Sequence, residues 1–233
     1  MAFRQFILPE LGEITVYKRR KAKNIRISID AHSKLRVSIP YWLPYAQGVK
    51  FAEQKTEWIK TKRHHVPILV GGDRIGKSHR IEVKYSDVQR ATTRINDTHI
   101  TVSLPKGAEL EDEAVQMIIR KACIRALKRQ AEQLLPQRLA LLANRYGYTY
   151  KTLSIKHLKS RWGSCTSKKE ITLNCLLMQL SWSEIDYVIV HELAHTRYMA
   201  HSTVFWSDIE QNIPSYKSIK RQLSSHKPVI FAA

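Results

Sequence analysis

Cysteine is scarce: the 233 residues contain three, Cys123, Cys165 and Cys175. That is too few, and an odd number, for the disulfide framework that holds small secreted folds together. Reduced thiols and a cytoplasmic location are the expectation. Long apolar runs are also missing. No stretch approaches the roughly 18 apolar residues of a membrane-spanning helix, so no membrane contact is expected. The opening Met-Ala-Phe-Arg-Gln-Phe-Ile-Leu-Pro-Glu has no signal-type apolar segment. Internal repeats and low-complexity linkers are absent too.

Acidic residues are in short supply. Asp and Glu total 20 against 39 Lys and Arg, a formal charge of +19 with a pI near 10.0. An acidic, solvating protein is excluded, and polyanions, nucleic acid above all, become possible partners. The excess is uneven. Residues 114–169 carry thirteen basic side chains and one acidic, Glu132, whereas residues 170–233 are close to neutral. Hydrophobic residues at 43% and charged residues at 25% are ordinary globular usage, so disorder and fibrous classes are set aside.

The pattern along the chain predicts an α+β fold in two domains, residues 1–108 and 109–233. The first reads as β-rich and basic with one helix. Short β-branched segments at 13–18, 24–29 and 35–39 are separated by turn formers such as Asp30–Ser33. Pro44 opens a helix of about 20 residues, with Val49, Ala52, Thr56 and Ile59 on one face. Gly71-Gly72-Asp73 reads as a turn. Strands follow at 79–84 and 98–103, with Asn96-Asp97 turning into the latter.

From Glu109 the spacing becomes helical through Ala114, Met117, Ile118, Lys121, Ala122, Arg125 and Ala126. Acids at 111–113 suit the first turn. Pro136 should end or kink this helix, and a second should run to Gly147 as its cap. Strands are expected at 160–165 and 170–174, joined by Thr166-Ser167-Lys168-Lys169. Ser181 and Glu184 have capping-box spacing. They introduce a helix over 182–198 that is apolar nearly all round, and so buried.

That helix carries His191-Glu192-Leu193-Ala194-His195. Residues four apart differ by about 40° around a helix, so both imidazoles leave one face and can share a metal ion. Glu192 stands beside the first of them. A catalytic zinc site needs about three protein ligands and an open position. His201 is the best third ligand; His226, His157 and Glu210 are its rivals. The spacing to His201 equals that in H-E-x-x-H-x-x-G-x-x-H, but Tyr198 stands at the glycine position. The turn must then be made differently, by a helix end near Met199-Ala200. A protein that binds nucleic acid, with a structural metal site, is the competing reading, as is a protease acting on nucleic-acid-bound proteins.

Several motifs together resemble one family. They are Trp162-Gly163-Ser164-Cys165 with Ile171-Thr172-Leu173-Asn174, the Asp186–His195 stretch, and His201-Ser202 with Phe205-Trp206. Ile213-Pro214-Ser215-Tyr216-Lys217 follows, with Ser215 where Asp is usual. The chain resembles the YgjP-like, or WGSC-type, metallopeptidases, which are zincin-type and related to the SprT-like proteases. The resemblance implies Zn2+ held by His191, His195 and His201, with Glu192 as general base and a peptide or protein as substrate. It further implies that strand 170–174 is the sheet edge over the cleft, where Thr172, Leu173, Asn174 and Tyr198 would meet substrate. Arg197 and Tyr198 are candidates to stabilise an oxyanion. Trp162, Phe205 and Trp206 read better as core aromatics than as substrate contacts, and Cys165 as a buried small residue.

Overall fold

The computed structural model describes residues 2–29, 35–62 and 67–230; the turn formers Asp30–Ser33 lie outside them. The fold is mixed α+β, and the chain divides into two compact units, Met1–Pro67 and Ile68–Ala233. The division therefore falls well before the expected 108/109 boundary, and the cause is packing. Ile75, Ile81, Ile100, Val102 and Leu104, from the strands after the break, share one apolar core with Ile119, Ala122, Cys123 and Leu127 of the helix that follows.

In the first unit β1 (Phe3–Leu8), β2 (Gly12–Arg19), β3 (Arg26–Ile29) and β4 (Leu35–Pro40) form a sheet in the order β1-β2-β4-β3. Strand periodicity puts alternate side chains on one face. Ile14, Val16, Leu35, Val37 and Ile39 are fully or almost fully buried with Ala52 and Ile59 from the helical segment. That segment is two helices, α1 (Tyr45–Gln54) and α2 (Thr56–Lys62), rather than one. Lys55 leaves helical geometry, and the Thr56 hydroxyl donates to the Glu53 carbonyl. The helix–sheet approach is close: a Cβ on Gly48 would lie 2.7 Å from Val16 Cγ1.

The second unit opens with β5 (Arg74–Ile75), β6 (His79–Ser86), β7 (Thr92–Ile95) and β8 (His99–Pro105), in the order β5-β6-β8-β7. The Asn96 side chain accepts from the backbone N–H groups of Thr98 and His99, making the expected turn. Next comes α3 (Glu113–Tyr146), one continuous helix of 34 residues. It runs through Pro136, against expectation. Pro136 is exposed, and the carbonyl it deprives of a partner belongs to exposed Glu132, where water can serve instead. The buried stripe Leu127, Ala131, Leu135, Leu139 and Leu142 continues past it. Asp112 caps the start, and left-handed Gly147 caps the end.

Two buried glutamines tie α3 to the segment before β6. Gln116 exchanges hydrogen bonds with the backbone of Leu69. Gln130 accepts from Lys77 N–H at 2.6 Å and donates to the Ile75 carbonyl at 3.0 Å. Its amide also lies 2.7 Å from His79 Nδ1.

Strands β9 (Thr152–Lys156), β10 (Gly163–Cys165) and β11 (Glu170–Asn174) make a small sheet ordered β10-β11-β9. The parallel partner β9 had no counterpart in the sequence reading. It corrects one expectation: β11 is the central strand, and β10 lies at the edge. A 3₁₀ turn (Cys175–Gln179) leads to α4 (Trp182–Ala194), then α5 (Thr203–Asn212) and α6 (Tyr216–Ser225). The capping box of Ser181 and Glu184 is present, and α4 is largely buried. It stops at Ala194, earlier than 198. Arg138 of α3 grips Asp186 of α4 with two guanidinium bonds, Nε to Oδ1 at 2.6 Å. No described helix is long and apolar enough to cross a membrane.

Replacing Gln130 by Leu takes the side-chain partner from the part-buried Lys77 N–H and the buried Ile75 carbonyl, which costs about 2 kcal/mol. Gln133→Leu, on the exposed side of the same helix, should stay within about 0.5 kcal/mol of wild type. Urea denaturation of the two variants side by side checks this.

Candidate metal centre

His191 lies in the last turn of α4 and His195, four residues on, caps its end, with ring centroids 4.9 Å from each other. Beyond Ala194 the chain tightens. Thr196 N–H bonds to the Leu193 carbonyl and Tyr198 N–H to that of Ala194, both at 2.9 Å. The Thr196 hydroxyl also donates to the Leu193 carbonyl. Among the described residues Lys169 is the one non-glycine with positive φ, so Tyr198 makes the turn without left-handed geometry. No glycine is needed there. Ser202 then caps α5, accepting from Phe205 N–H, and His201 stands just before that cap.

The third imidazole thus returns to the first two. Its ring centroid lies 5.0 Å from that of His191 and 4.7 Å from that of His195. One ligand atom from each of the three histidines lies within 4.8 Å of the others. His191 and His201 face each other Nε2 to Nε2 at 3.1 Å, a separation that calls for one shared proton or one shared cation. Burial, aided by the neighbouring imidazoles, pushes His191 down to about 3, and burial also lowers His201. His191 is therefore neutral at pH 7, with lone pairs available to a metal. His195 Nδ1 lies 3.0 Å from the Tyr198 carbonyl, which leaves its Nε2 as the ligand atom. Among the described residues His191 Nδ1 is buried without a hydrogen-bond partner, and its Nε2, facing His201, is the atom placed to ligate. The donor set fits a divalent ion with three nitrogen ligands and an open position.

Glu192 is buried on the adjacent face of α4. Burial pushes its carboxyl up to about 8, partly opposed by Arg161. Strand β10 rests directly against it: a Cβ on Gly163 would come within 2.7 Å of Glu192 Cγ and Oε1. The glycine of the Trp-Gly-Ser-Cys stretch is thus the space in which the carboxylate lies.

Aromatic side chains fix the imidazoles from behind. Phe205 is fully buried and lies about 5 Å from all three rings. Trp206 stacks on His201 at 5.5 Å and on Tyr216 at 5.6 Å, with Lys220 Nζ 3.9 Å from its centroid. Phe205 and Trp206 are packed aromatics as expected, but their stacking with His201 and Tyr216 joins α5, α6 and the loop between α4 and α5, which no local pattern reports.

The other candidates lie elsewhere. Leu173 and Asn174 are fully buried. Asn174 donates to the Leu158 and Arg161 carbonyls, each at 2.8 Å, and its side-chain oxygen caps the 3₁₀ turn, so it shapes the loop leading to β10. Thr172 is half-buried on central β11. Tyr198 meets the site through its carbonyl. Arg197 is held by the Tyr146 and Gly147 carbonyls and faces Asp208 at the end of α3. Glu210 pairs with Lys217 at 2.8 Å. His226 lies 3.5 Å from Glu184, near the start of α4. His157 stands outside the histidine cluster. Cys165 is half-buried with its thiol pushed up to about 11 by burial, which makes it a poor nucleophile.

Two predictions follow from these contacts. A carboxyl whose folded pKa is raised keeps its full contribution below the ordinary carboxylate range and loses it as pH rises toward about 8. Metal-free Glu192→Gln, which has nothing to ionise, should therefore melt above metal-free wild type at pH 8, and the gap should close near pH 5. Trp206→Leu should weaken zinc binding by about tenfold in competition with a chromogenic chelator, since an unstacked His201 is free to leave the ligating rotamer.

No curated protein is matched by the chain. The solved structures with partial likeness include two metallopeptidase zymogens. The metallopeptidase zymogen of Pyrococcus abyssi abylysin is 26% identical over 40% of this chain and 93% of its own, with a TM-score of 0.37. The metallopeptidase zymogen of Methanocaldococcus jannaschii jannalysin is 16% identical over 39% of this chain and 93% of its own, with a TM-score of 0.35. The YgjP-like, metallopeptidase domain family matches residues 23–226. The chain belongs to the YgjP-like metallopeptidase family.

Proposed function

We propose that the protein is a zinc-dependent peptidase of the H-E-x-x-H type. His191, His195 and His201 hold the ion, and Glu192 is the general base. The observation that carries this reading is the convergence of three imidazoles within 4.8 Å beside a buried carboxyl. An all-imidazole donor set suits zinc. When bound, zinc supplies Lewis acidity, making water a nucleophile near neutral pH and polarising a peptide carbonyl.

The protein's own groups do the rest. A cation in front of Glu192 favours its carboxylate, reversing the effect of burial. The carboxylate then accepts the proton of the attacking water and delivers it to the departing amide nitrogen. Gly163 gives that carboxylate its position. Edge strand β10 pairs on one side with β11 and has no second strand neighbour among the described residues. An extended peptide adding to it would lie alongside Glu192. The substrate is accordingly an extended segment of a peptide or protein. The three free thiols suit a reducing cytoplasm.

Zinc content and casein cleavage, measured on wild type and two variants, test the proposal. Glu192→Gln should keep stoichiometric zinc and lose activity by a factor of about 10² to 10⁴. His201→Ala should lose both. Wild type that binds no metal, or a Glu192→Gln protein as active as wild type, would sink the proposal.

A further inference from the structure

The first unit's sheet has a second face, turned away from its core. Cross-strand register fixes which side chains share it. Tyr17, Ser38 and Arg26 stand in one row across β2, β4 and β3, and Thr15, Arg36 and Ser28 stand in the next. Phe3 of β1 is the cross-strand partner of Tyr17. Arg19, Arg26, Ser28 and Arg36 are exposed. Together with Tyr17 and Ser38 they line a concavity of ≈ 370 Å³, and among the described residues its lining includes no acidic side chain. The Ser28 and Ser38 hydroxyls donate to the backbone carbonyls of Arg36 and Arg26 across the strands, which stiffens the floor.

Aromatic rings stand among these cations. The Phe3 and Tyr17 ring centroids are 5.7 Å apart, and Phe3 is 55% exposed. The Arg36 guanidinium carbon lies 5.9 Å from the Tyr17 centroid. A solvated strand face has no need of an exposed ring packed on a half-buried one beside arginines. Guanidinium forks match phosphate oxygens in pairs. Aromatic rings and guanidinium planes are the surfaces on which unpaired bases stack. An acidic peptide would answer the charge but offer nothing to the rings. A duplex would answer the charge while keeping its base faces hidden.

We propose that this sheet face binds single-stranded nucleic acid, with phosphates in the arginine-lined concavity and a base against Phe3 and Tyr17. The site uses no residue of the metal centre, so it stands whether or not the peptidase reading holds.

The test is fluorescence anisotropy of the full-length, zinc-loaded chain with labelled oligothymidylate, over a range of salt. Duplex DNA of equal length and polyglutamate serve as competitors. Wild type should bind the single strand, and neither competitor should displace it at equal charge. The Arg19→Ala/Arg26→Ala/Arg36→Ala variant should bind at least about tenfold more weakly. Its log–log salt slope should fall by about 2, the counterion release of three single-strand phosphate contacts. Tyr17→Leu should weaken binding several-fold with the slope unchanged, because stacking releases no counterions. Lys121→Ala/Lys151→Ala/Lys168→Ala removes the same charge from the other unit and should change affinity less than about twofold. Phe3→Ser, at an exposed position on the first strand, repeats the stacking test should Tyr17→Leu fail to fold. Equal losses in the two triple variants, a preference for duplex, displacement by polyglutamate, or no binding would each overturn the proposal.

Discussion

Two half-buried imidazoles and a buried carboxyl stand at the C-terminal end of one apolar helix, and the larger unit is arranged to tolerate them. The same burial acts on both kinds of group in opposite directions. It lowers His191 to about 3 and raises Glu192 to about 8. Both therefore rest neutral at pH 7, the one state in which a low-dielectric interior accepts them cheaply. A divalent cation held by the imidazoles would change this balance, since it would take their lone pairs and give the carboxylate a positive neighbour. The helix can carry such residues because it is anchored along its length. The Ser181–Glu184 capping box fixes its start, the Arg138–Asp186 pair fixes its first turns, and Phe205 closes the space behind the imidazoles.

Glycine 163 shows how tightly the surroundings depend on that arrangement. Its missing side chain is the volume occupied by the Glu192 carboxyl. Asn174 acts one step further out. By holding the Leu158 and Arg161 carbonyls it sets the loop that brings β10 to the helix. The Trp-Gly-Ser-Cys and Ile-Thr-Leu-Asn stretches are far from the histidines in sequence, yet both are explained by where a single carboxylate must lie.

The candidate site was more legible in the sequence than the fold around it. Spacing of four on a helix is a local geometric fact, so His191 and His195 could be paired from the sequence alone, as could Ser181 and Glu184. His201 was ranked first on spacing, although Tyr198 at the glycine position argued for an unusual turn; backbone bonds to Leu193 and Ala194 make that turn with ordinary geometry. The misreadings share a cause. Strand order, the parallel pairing of β9 with β11, and the passage of α3 through Pro136 depend on what lies across the fold. No short window of sequence reports whether a proline faces water or core. The boundary at 108/109 was placed where strand periodicity gives way to helix periodicity. The chain divides instead where the apolar cores divide, and β5–β8 share theirs with α3.

Charge was the feature most easily misjudged by counting. The segment 114–169 holds the densest excess of basic residues. Much of that excess is engaged within the protein. Arg125 donates to Thr93, Arg129 pairs with Asp97, Lys128 with Glu132, and Arg138 with Asp186. The exposed contacts contribute little stability, but Arg125, Arg129 and Arg138 reach from α3 to a neighbouring strand, a turn and α4 rather than being left spread for a ligand. The first unit has a smaller excess and a more specific arrangement. Three arginines and two rings converge on one sheet face because strand alternation and register put them there, while the same strands bury Val16, Val37 and Ile39 on the other. What distinguishes a binding face from a solvated one is this convergence of charge with aromatic surface on rigid strands, and net charge alone does not measure it.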